Sequence, residues 1–516
     1  MIRVILVFLT LGNLGLIQAQ SARLDVTDFG VISDTSILST QGVQSAIDSC
    51  YSIGGGIVHI PKGIYTIGTI VLKSKVNLEL ADGAILFASR NINDYRMPLN
   101  EATKPVLIYA NGAKNIAISG KGEINGQARH VYEDLRKTDR FIENITAKAK
   151  LVGVEMKRYY IVKPDVGLIN LAGCKNVTLT DFTVRESSFW SVHLVRCVNV
   201  DISAVSVYSS LEKGVNADGL DINSCQKVRI KNCTIETGDD AIVLKTRYSD
   251  PCKNVIVSNC TLSSSSTALK IGTESRGDFE DIVFENCKVL NSNRGLSIVV
   301  LDGASVINVR FSNISIECQR RHFNWWGNAD PIWLYVGKRY EDSAIGEIRN
   351  VTFRNISASV MGTSKIESAY NDRISQIAFN NLSIHMRIED YLDKRANHIF
   401  YAKSVDNLIL NNINFKWDED HAEPLWESAF YVEDAVGFEL NGFTGRQGII
   451  NTDTPAMQLI NVSQSSLDKI RFLEGTEVGV YISGENTKNI SLGNLDLDKV
   501  CKKVVDYQVD KAKDGL

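Results

Sequence analysis

One phrase of about ten residues recurs along this chain and constrains its fold more than any other feature. It runs from an Asn or another polar residue through an apolar-x-apolar triplet, often Asn-Cys or Asn-Ile, to a second such triplet. It reads KNVTLTDFTV, VNVDISAVSV, QKVRIKNCTI, KNVIVSNCTL, EDIVFENCKV, INVRFSNISI, RNVTFRNISA, SQIAFNNLSI, DNLILNNINF and KNISLGNLDL. Its first apolar residues are Val177, Val200, Val228, Val255, Ile282, Val309, Val351, Ile377, Leu408 and Ile490. From Val177 to Ile377 the gaps are 23, 28, 27, 27, 27, 42 and 26 residues, which define a coil of about 27 with an insertion at the long gap. Alternation within each triplet is the period of a β-strand. Helical crossovers do not fit between strands so closely spaced, so turns must join them into a right-handed parallel β-helix. A propeller blade needs about 40 residues and antiparallel strands. The expected fold class is therefore all-β, a single solenoid over residues 20–516 in which each coil buries its inner face against its neighbours.

The ends of a solenoid need covers. After the strand-like LDVTDFG, the segment VQSAIDSCYS places Val43, Ile47 and Cys50 at helical spacing. This reads as a short amphipathic helix hiding an edge strand, within an N-terminal cap of about residues 20–60. The strand series starts at residues 57–89, and the tail from about 498 to 516 is read as the C-terminal cap. Irregular segments at Arg129 to Val166, Cys318 to Ile348 and Arg387 to Asn397 are expected to wall a binding groove. Ten cysteines follow the coil period: Cys233, Cys260 and Cys287 are 27 apart, as are Cys225 and Cys252. Equal offsets stack them in successive coils, as a thiol ladder or as one or two disulfides. Without a Cys-x-x-Cys pair, no zinc site is expected.

The first nineteen residues, MIRVILVFLTLGNLGLIQA, set Arg3 before a short apolar run with a cleavage point after Ala19, as in a secretory signal peptide. A periplasmic or secreted protein is expected. No later run is long enough to insert in a membrane. With 56 basic against 60 acidic residues, the charge points to neither nucleic acid nor an anionic membrane as partner. Oligomeric state is not readable.

The chemistry concentrates in NADGLDINSCQKVRIKNCTIETGDDAIVLK, Asn216 to Lys245. The run after Asp218 recurs after Asp240, an offset of 22, so the two acids share a ladder position and stack about 4.8 Å apart. Stacked acids must be metal-bound, share a proton or hold a water. Asp239 lies one residue off that ladder. A second ladder aligns SVHLV (191–195), DGLDI (218–222), DAIVL (240–244), TALKI (267–271) and RGLSI (294–298), and its surroundings include Trp190, His193, Lys245, Lys270, Glu274 and Arg294. Three acids among cations suit hydrolysis by acid and base, and inversion needs one carboxyl at the leaving oxygen and another at a water. Trp325 and Trp326, in an insertion, offer rings for a sugar face.

The chain resembles glycoside hydrolase family 28, the polygalacturonase family, through LDVTDFG, PKGIYTIGTIVLKS, GKGEINGQ, ESSFWSVHLVRCVNV, NADGLDI, TGDDAIVLK and ALKIGTES. The family's Asn-Thr-Asp appears as Asn216, Ala217, Asp218, and its Asp-Asp pair as Asp239, Asp240. The resemblance implies Asp239 as general acid, with Asp218 and Asp240 holding and activating the water. It further implies an inverting hydrolase of a pectic poly- or oligosaccharide containing galacturonic acid or rhamnose; the loops at three places favour an enclosed, exo-type groove, and the surroundings of the acids offer no metal cage, so no metal and no cofactor are expected. Two motifs depart: Gly-His-Gly is replaced by Ser265, Ser266, Thr267, and Arg-Ile-Lys by Ser297, Ile298, Val299. Losing an Arg and a Lys removes charge-assisted bonds to a substrate carboxylate. Competing readings are a β-helical polysaccharide lyase using Ca²⁺ and a non-catalytic glycan-binding β-helix.

Overall fold

A computed structural model describes residues 22–96, 104–130, 132–134, 140–156, 160–322, 326–496, 500 and 502–506. The segment read as a signal peptide lies outside them. Each regular coil contributes three short strands, as in Leu220–Asn223, Gln226–Lys231 and Thr234–Thr237. Each strand pairs in parallel with its counterpart in the next coil: Leu220 with Ile242, Val228 with Val255, Ile235 with Leu262. The architecture is a right-handed parallel β-helix. The repeat residues named above stack in one column, from Val177 on Val200 to Ile377 on Leu408, including the 42-residue step from Val309 to Val351.

The recurring Asn has a geometric cause. Corners between strands require left-handed backbone, which Asn tolerates better than other side chains. Asn176, Asn199 and Asn286 have φ of 56°, 60° and 54°. Stacked corners also let the amides bond along the axis: Asn176 donates to Asn115 at 2.8 Å, and Asn199 to Asn176 at 2.7 Å. Inside, Phe284, Phe311, Phe353 and Phe379 form one pile, with centroids 4.8, 4.9 and 4.5 Å apart. Aromatic pairs of this kind add about 0.5–1.5 kcal/mol each beyond area burial.

The helix Thr40–Ser52 buries Val43, Ala46, Ile47 and Cys50 against the first coil, starting three residues before the segment read as helical. At the other end, Lys502–Asp506 stacks on Val478–Ser483 as one more rung. Two further rungs, Glu439–Gly445 and Pro455–Phe472, were not among the ten phrases because their sequences carry weaker triplets. A second helix, Arg140–Leu151, lies in the first insertion, where strand periodicity gave no hint of it. The nine described cysteines are buried and unbonded, so the equal offsets make a thiol column: Cys197 Sγ donates to Leu171 O at 3.2 Å.

The insertions share one corner of the coil. Residues 126–166, 319–329 and 387–399 all precede strands of the same face, Gly167–Ala172, Asp330–Val336 and Phe400–Trp417. Two of them are tied together: buried Arg320 binds Glu389 at 2.5 Å and Asp393 at 2.8 Å. These two form one wall along that face.

Candidate active site

The same corner carries the acids. Asp218 and Asp240 end the turns leading into Leu220–Asn223 and Ile242–Thr246, and Gly219 N donates to Asp240 O at 2.9 Å. The pairing of Leu220 with Ile242 makes Asp218 and Asp240 neighbours in one column, as the 22-residue offset predicts. Thr267, Arg294 and Asp330 continue it. Asp239, on the apex of its turn, is half-buried and oriented by its backbone: its carbonyl accepts from Thr237 Oγ1 at 2.9 Å and Ser264 Oγ at 2.7 Å.

One alignment needs correction. Val192 pairs with Leu220, not with Gly219, so SVHLV sits one residue from the register read in the sequence. A one-residue slip moves a side chain to the opposite face. The first ladder already held the signal, since Val200 to Val228 spans 28 residues rather than 27. In the true register His193 lies directly before Asp221 on the outward column.

Hydrogen bonding divides the acids into different kinds. Buried Asp240 has both oxygens engaged: Oδ1 accepts from Ser266 Oγ at 2.8 Å and Thr267 N at 3.2 Å, and Oδ2 from Lys270 Nζ at 2.6 Å. Burial acts to raise its pKa, but Lys270, Lys245 and these bonds outweigh it and hold the carboxyl below the usual range. Asp239 goes the other way. Burial, then the charges of Asp218 and Asp240, push it well above the usual range. Asp218 is raised more modestly, by burial and by Asp240 against the pull of Lys245. Its Oδ2 binds Lys245 Nζ at 2.9 Å, while buried Oδ1 has no protein partner.

Lys245 is no solvated strand lysine. It is buried with its ammonium 3.9 Å from the centre of the Trp190 ring, and it binds Asp221 at 2.6 Å as well as Asp218. Asp221 is the residue that sequence reasoning missed: an acid in the x position of an apolar-x-apolar triplet is ordinarily a surface residue. Here burial, then Asp218, raise its pKa well above the usual range. His193 is also buried, held by Asn170 at 2.9 Å and edge-on to Trp190 at 4.6 Å. Burial, then Lys245 and Arg247, depress its pKa, so the ring is neutral.

Other candidate ligands spread around this centre. Lys270 is joined to Asp240, as above, and Arg294 is joined to Asp330 at 3.0 Å with its guanidinium 4.1 Å from the Trp333 ring centre. Glu274 is half-buried in the field of Lys245 and Lys270, which overcome burial and lower its pKa. Asn216 is exposed two residues before Asp218. Trp326 is 37% exposed on its insertion, and Trp325 lies outside the described residues. Ser266 stands where the related motif has a histidine and holds Asp240, while Ser297 and Val299 are buried on the rung after Lys270.

Comparison with known proteins gives a consistent family. The model of glycosyl hydrolases family 28 matches residues 50–397. An exo-poly-alpha-D-galacturonosidase of Dickeya chrysanthemi is 27% identical over 252 residues, 42% of this chain and 41% of that protein. A probable polygalacturonase of Vitis vinifera is 28% identical over 241 residues, 45% of this chain and 46% of that protein. The chain thus spans less than half the length of these relatives. In fold it is similar to the family 28 exopolygalacturonase of Yersinia enterocolitica, with TM-score 0.62, 21% identity, and coverage of 82% of this chain and 79% of that one. It is also similar to an exopolygalacturonase of Thermotoga maritima, with TM-score 0.57, 21% identity, and coverage of 75% and 91%.

Proposed function

Because this chain belongs to glycosyl hydrolases family 28, we propose that it hydrolyses glycosidic bonds of a pectic polysaccharide or its oligosaccharides with inversion at the anomeric carbon. The observation that carries this reading is the unequal set of hydrogen-bond partners around three neighbouring aspartates. Asp239 is pushed towards its neutral form, and Asp240 is held ionised by Ser266, Thr267 and Lys270. In this mechanism Asp239 gives its proton to the leaving oxygen as the bond from that oxygen to the anomeric carbon breaks. Asp218 takes a proton from the water that bonds the same carbon. Asp218 suits the base better than Asp240 because its pKa is the higher and one of its oxygens has no protein partner. Asp240 then acts as a fixed anion that keeps Asp239 protonated and faces the positive charge developing on the sugar ring.

Asn216 and Trp326, both exposed, are assigned to sugar contact, and buried Lys245 to holding Asp218 and Asp221 in place, with His193 bonded to Asn170 and packed on the same Trp190. The wall built by the tied insertions favours exo action, since it narrows one side of the groove. An exported protein remains the proposal for localisation, on the strength of the N-terminal run.

Asp239→Asn keeps the shape and removes the transferable proton. It should lower turnover of pectic oligosaccharides by at least about 10²-fold while leaving their affinity intact. The wild-type product, followed by NMR, should appear first as the inverted anomer. Retained configuration or an unsaturated product would overturn the mechanism.

A further inference from the structure

The groove floor does not end at the acids. The outward column Asp221, Val243, Lys270, Ser297 continues in register through Trp333, Lys365, Tyr401 and Tyr431, then Gln458 and Tyr481. Its character changes at Trp333. Asp221, Val243 and Ser297 are fully buried, whereas each member from Trp333 onward is half-buried. This open part is aromatic and stiff. Tyr401 and Tyr431 stack with centroids 5.3 Å apart, His398 packs behind at 4.9 Å from Tyr431, and Trp333 Nε1 donates to Glu367 at 3.2 Å.

One cation interrupts the aromatic run. Lys365, between Trp333 and Tyr401, enters no ion pair among the described residues. Four other cations of this face are committed: Lys245 to Asp218 and Asp221, Lys270 to Asp240, Arg294 to Asp330 and Lys403 to Glu433. Among the described residues no carboxylate pairs with Lys365, so an anion lying over Trp333 and Tyr401 would meet an uncommitted cation. Aromatic rings with polar edges suit the mixed apolar and hydroxylated surface of pyranoses. A lysine among them suits a sugar that bears a carboxylate.

We propose that Trp333, Lys365, Tyr401 and Tyr431 form a binding tract for acidic units of the same glycan whose scissile bond lies at Asp239, with Lys365 taking a uronate carboxylate. The tract rests on the hydrolase reading above for its shared occupant. The continuity of register commits it to that occupant, because a chain lying along the axis over Lys270 must pass over Trp333 next. Lys365 is three rungs from Lys270, about 14 Å at 4.8 Å per rung. Recognition of the acid group is thereby separated from the cleaved bond, consistent with the absence of the family's Arg-Ile-Lys from the catalytic rungs.

Calorimetry on Asp239→Asn protein, with and without Lys365→Met, tests this against acidic pectic oligosaccharides of graded length. The same oligosaccharides with their carboxyls reduced to alcohols serve as the neutral arm. Lys365→Met should weaken long acidic chains about tenfold and leave short chains and reduced chains unchanged. In the active protein it should raise KM for long chains at constant kcat, and Tyr401→Ala should weaken acidic and reduced long chains alike. Equal affinity of the two lysine forms for every long acidic chain would overturn the tract while leaving the hydrolase reading intact. If wild type releases no product but keeps the Lys365-dependent length step, the hydrolase reading fails and the tract stands.

Discussion

Replacing Lys245 by Met tests whether one buried cation sets the protonation of the acids around it. Its Nζ lies 2.9 Å from Asp218 and 2.6 Å from Asp221, and all three side chains are buried. Met keeps much of the volume and contact with Trp190 but removes the charge. Leaving buried carboxylates without their cation costs about 3–5 kcal/mol at neutral pH. For both acids burial raises the pKa and Lys245 lowers it, so both rise further in the variant. A carboxyl whose pKa is higher folded than unfolded supports folding at low pH and opposes it once the unfolded chain ionises. The stability deficit should therefore be small near about pH 3 and full at about pH 7, since an unperturbed Asp titrates near about 3.9. Catalysis should follow the same shift. Each unit gained by Asp218 moves the acid limb of kcat/KM up by one unit and lowers the rate on that limb about tenfold. Urea midpoints at the two pH values, with the pH profile of kcat/KM, read both effects. Adding Asp221→Asn should recover part of the lost stability without restoring the limb. A deficit equal at both pH values, together with an unmoved acid limb, would refute the assignment of Lys245.

Arg320→Met should loosen the wall and spare the solenoid: it leaves buried Glu389 without its cation, at a cost of up to about 3–5 kcal/mol, while Asp393 keeps Arg395 at 2.6 Å. Hydrogen exchange should then quicken in residues 319–329 and 387–397 while the rungs keep their protection, and uniform quickening would contradict the reading. The unbonded cysteines predict that protein denatured without reductant titrates at least nine thiols and that reductant leaves the melting temperature unchanged. A lower count would mean that some of the column is oxidised.

The fold was legible because a β-helix repeats its constraints in every coil. Apolar alternation, corner Asn and cysteine offsets each predict the same stacking, and Val177 to Leu408 fall into the column they imply. Where a coil departs from the mean, the repeat gives less. The extra residue between Val200 and Val228 misplaced His193 by one position, and the helix Arg140–Leu151 sits in an insertion that carries no repeat. The ladder of Asp218 and Asp240 needed only the 22-residue offset. Asp221 and the burial of Lys245 did not follow from spacing, because burial of an outward face depends on walls contributed by residues far away in sequence. Trp190, Lys245 and Lys270 come from three different coils, and only stacking brings them to one place.

A solenoid also separates chemistry from recognition more cleanly than a closed fold does. Each rung contacts only its neighbours, so a change on one rung leaves the others in register. The acids need only the rungs of Asp218 and Asp240 and the donors directly beyond, Ser266, Thr267 and Lys270. On the next rungs Ser297 and Val299 are buried and uncharged, and Arg294 is neutralised by Asp330. A carboxylate on the sugar at the scissile bond would therefore meet Lys270, which is already bound to Asp240, and would have to share its ammonium with that acid. Sharing Lys270 would weaken its hold on Asp240, raise the pKa of that acid and loosen its grip on the proton of Asp239, so binding an acidic sugar there would oppose the protonation that cleavage requires. A neutral sugar at the cleaved bond, with acidic units placed farther along the floor at Lys365, avoids that conflict. Chains in which the two kinds of sugar alternate should accordingly be cleaved faster than uniformly acidic ones, and a preference for the uniform polymer would show that Lys270 serves both carboxylates without loss to Asp240.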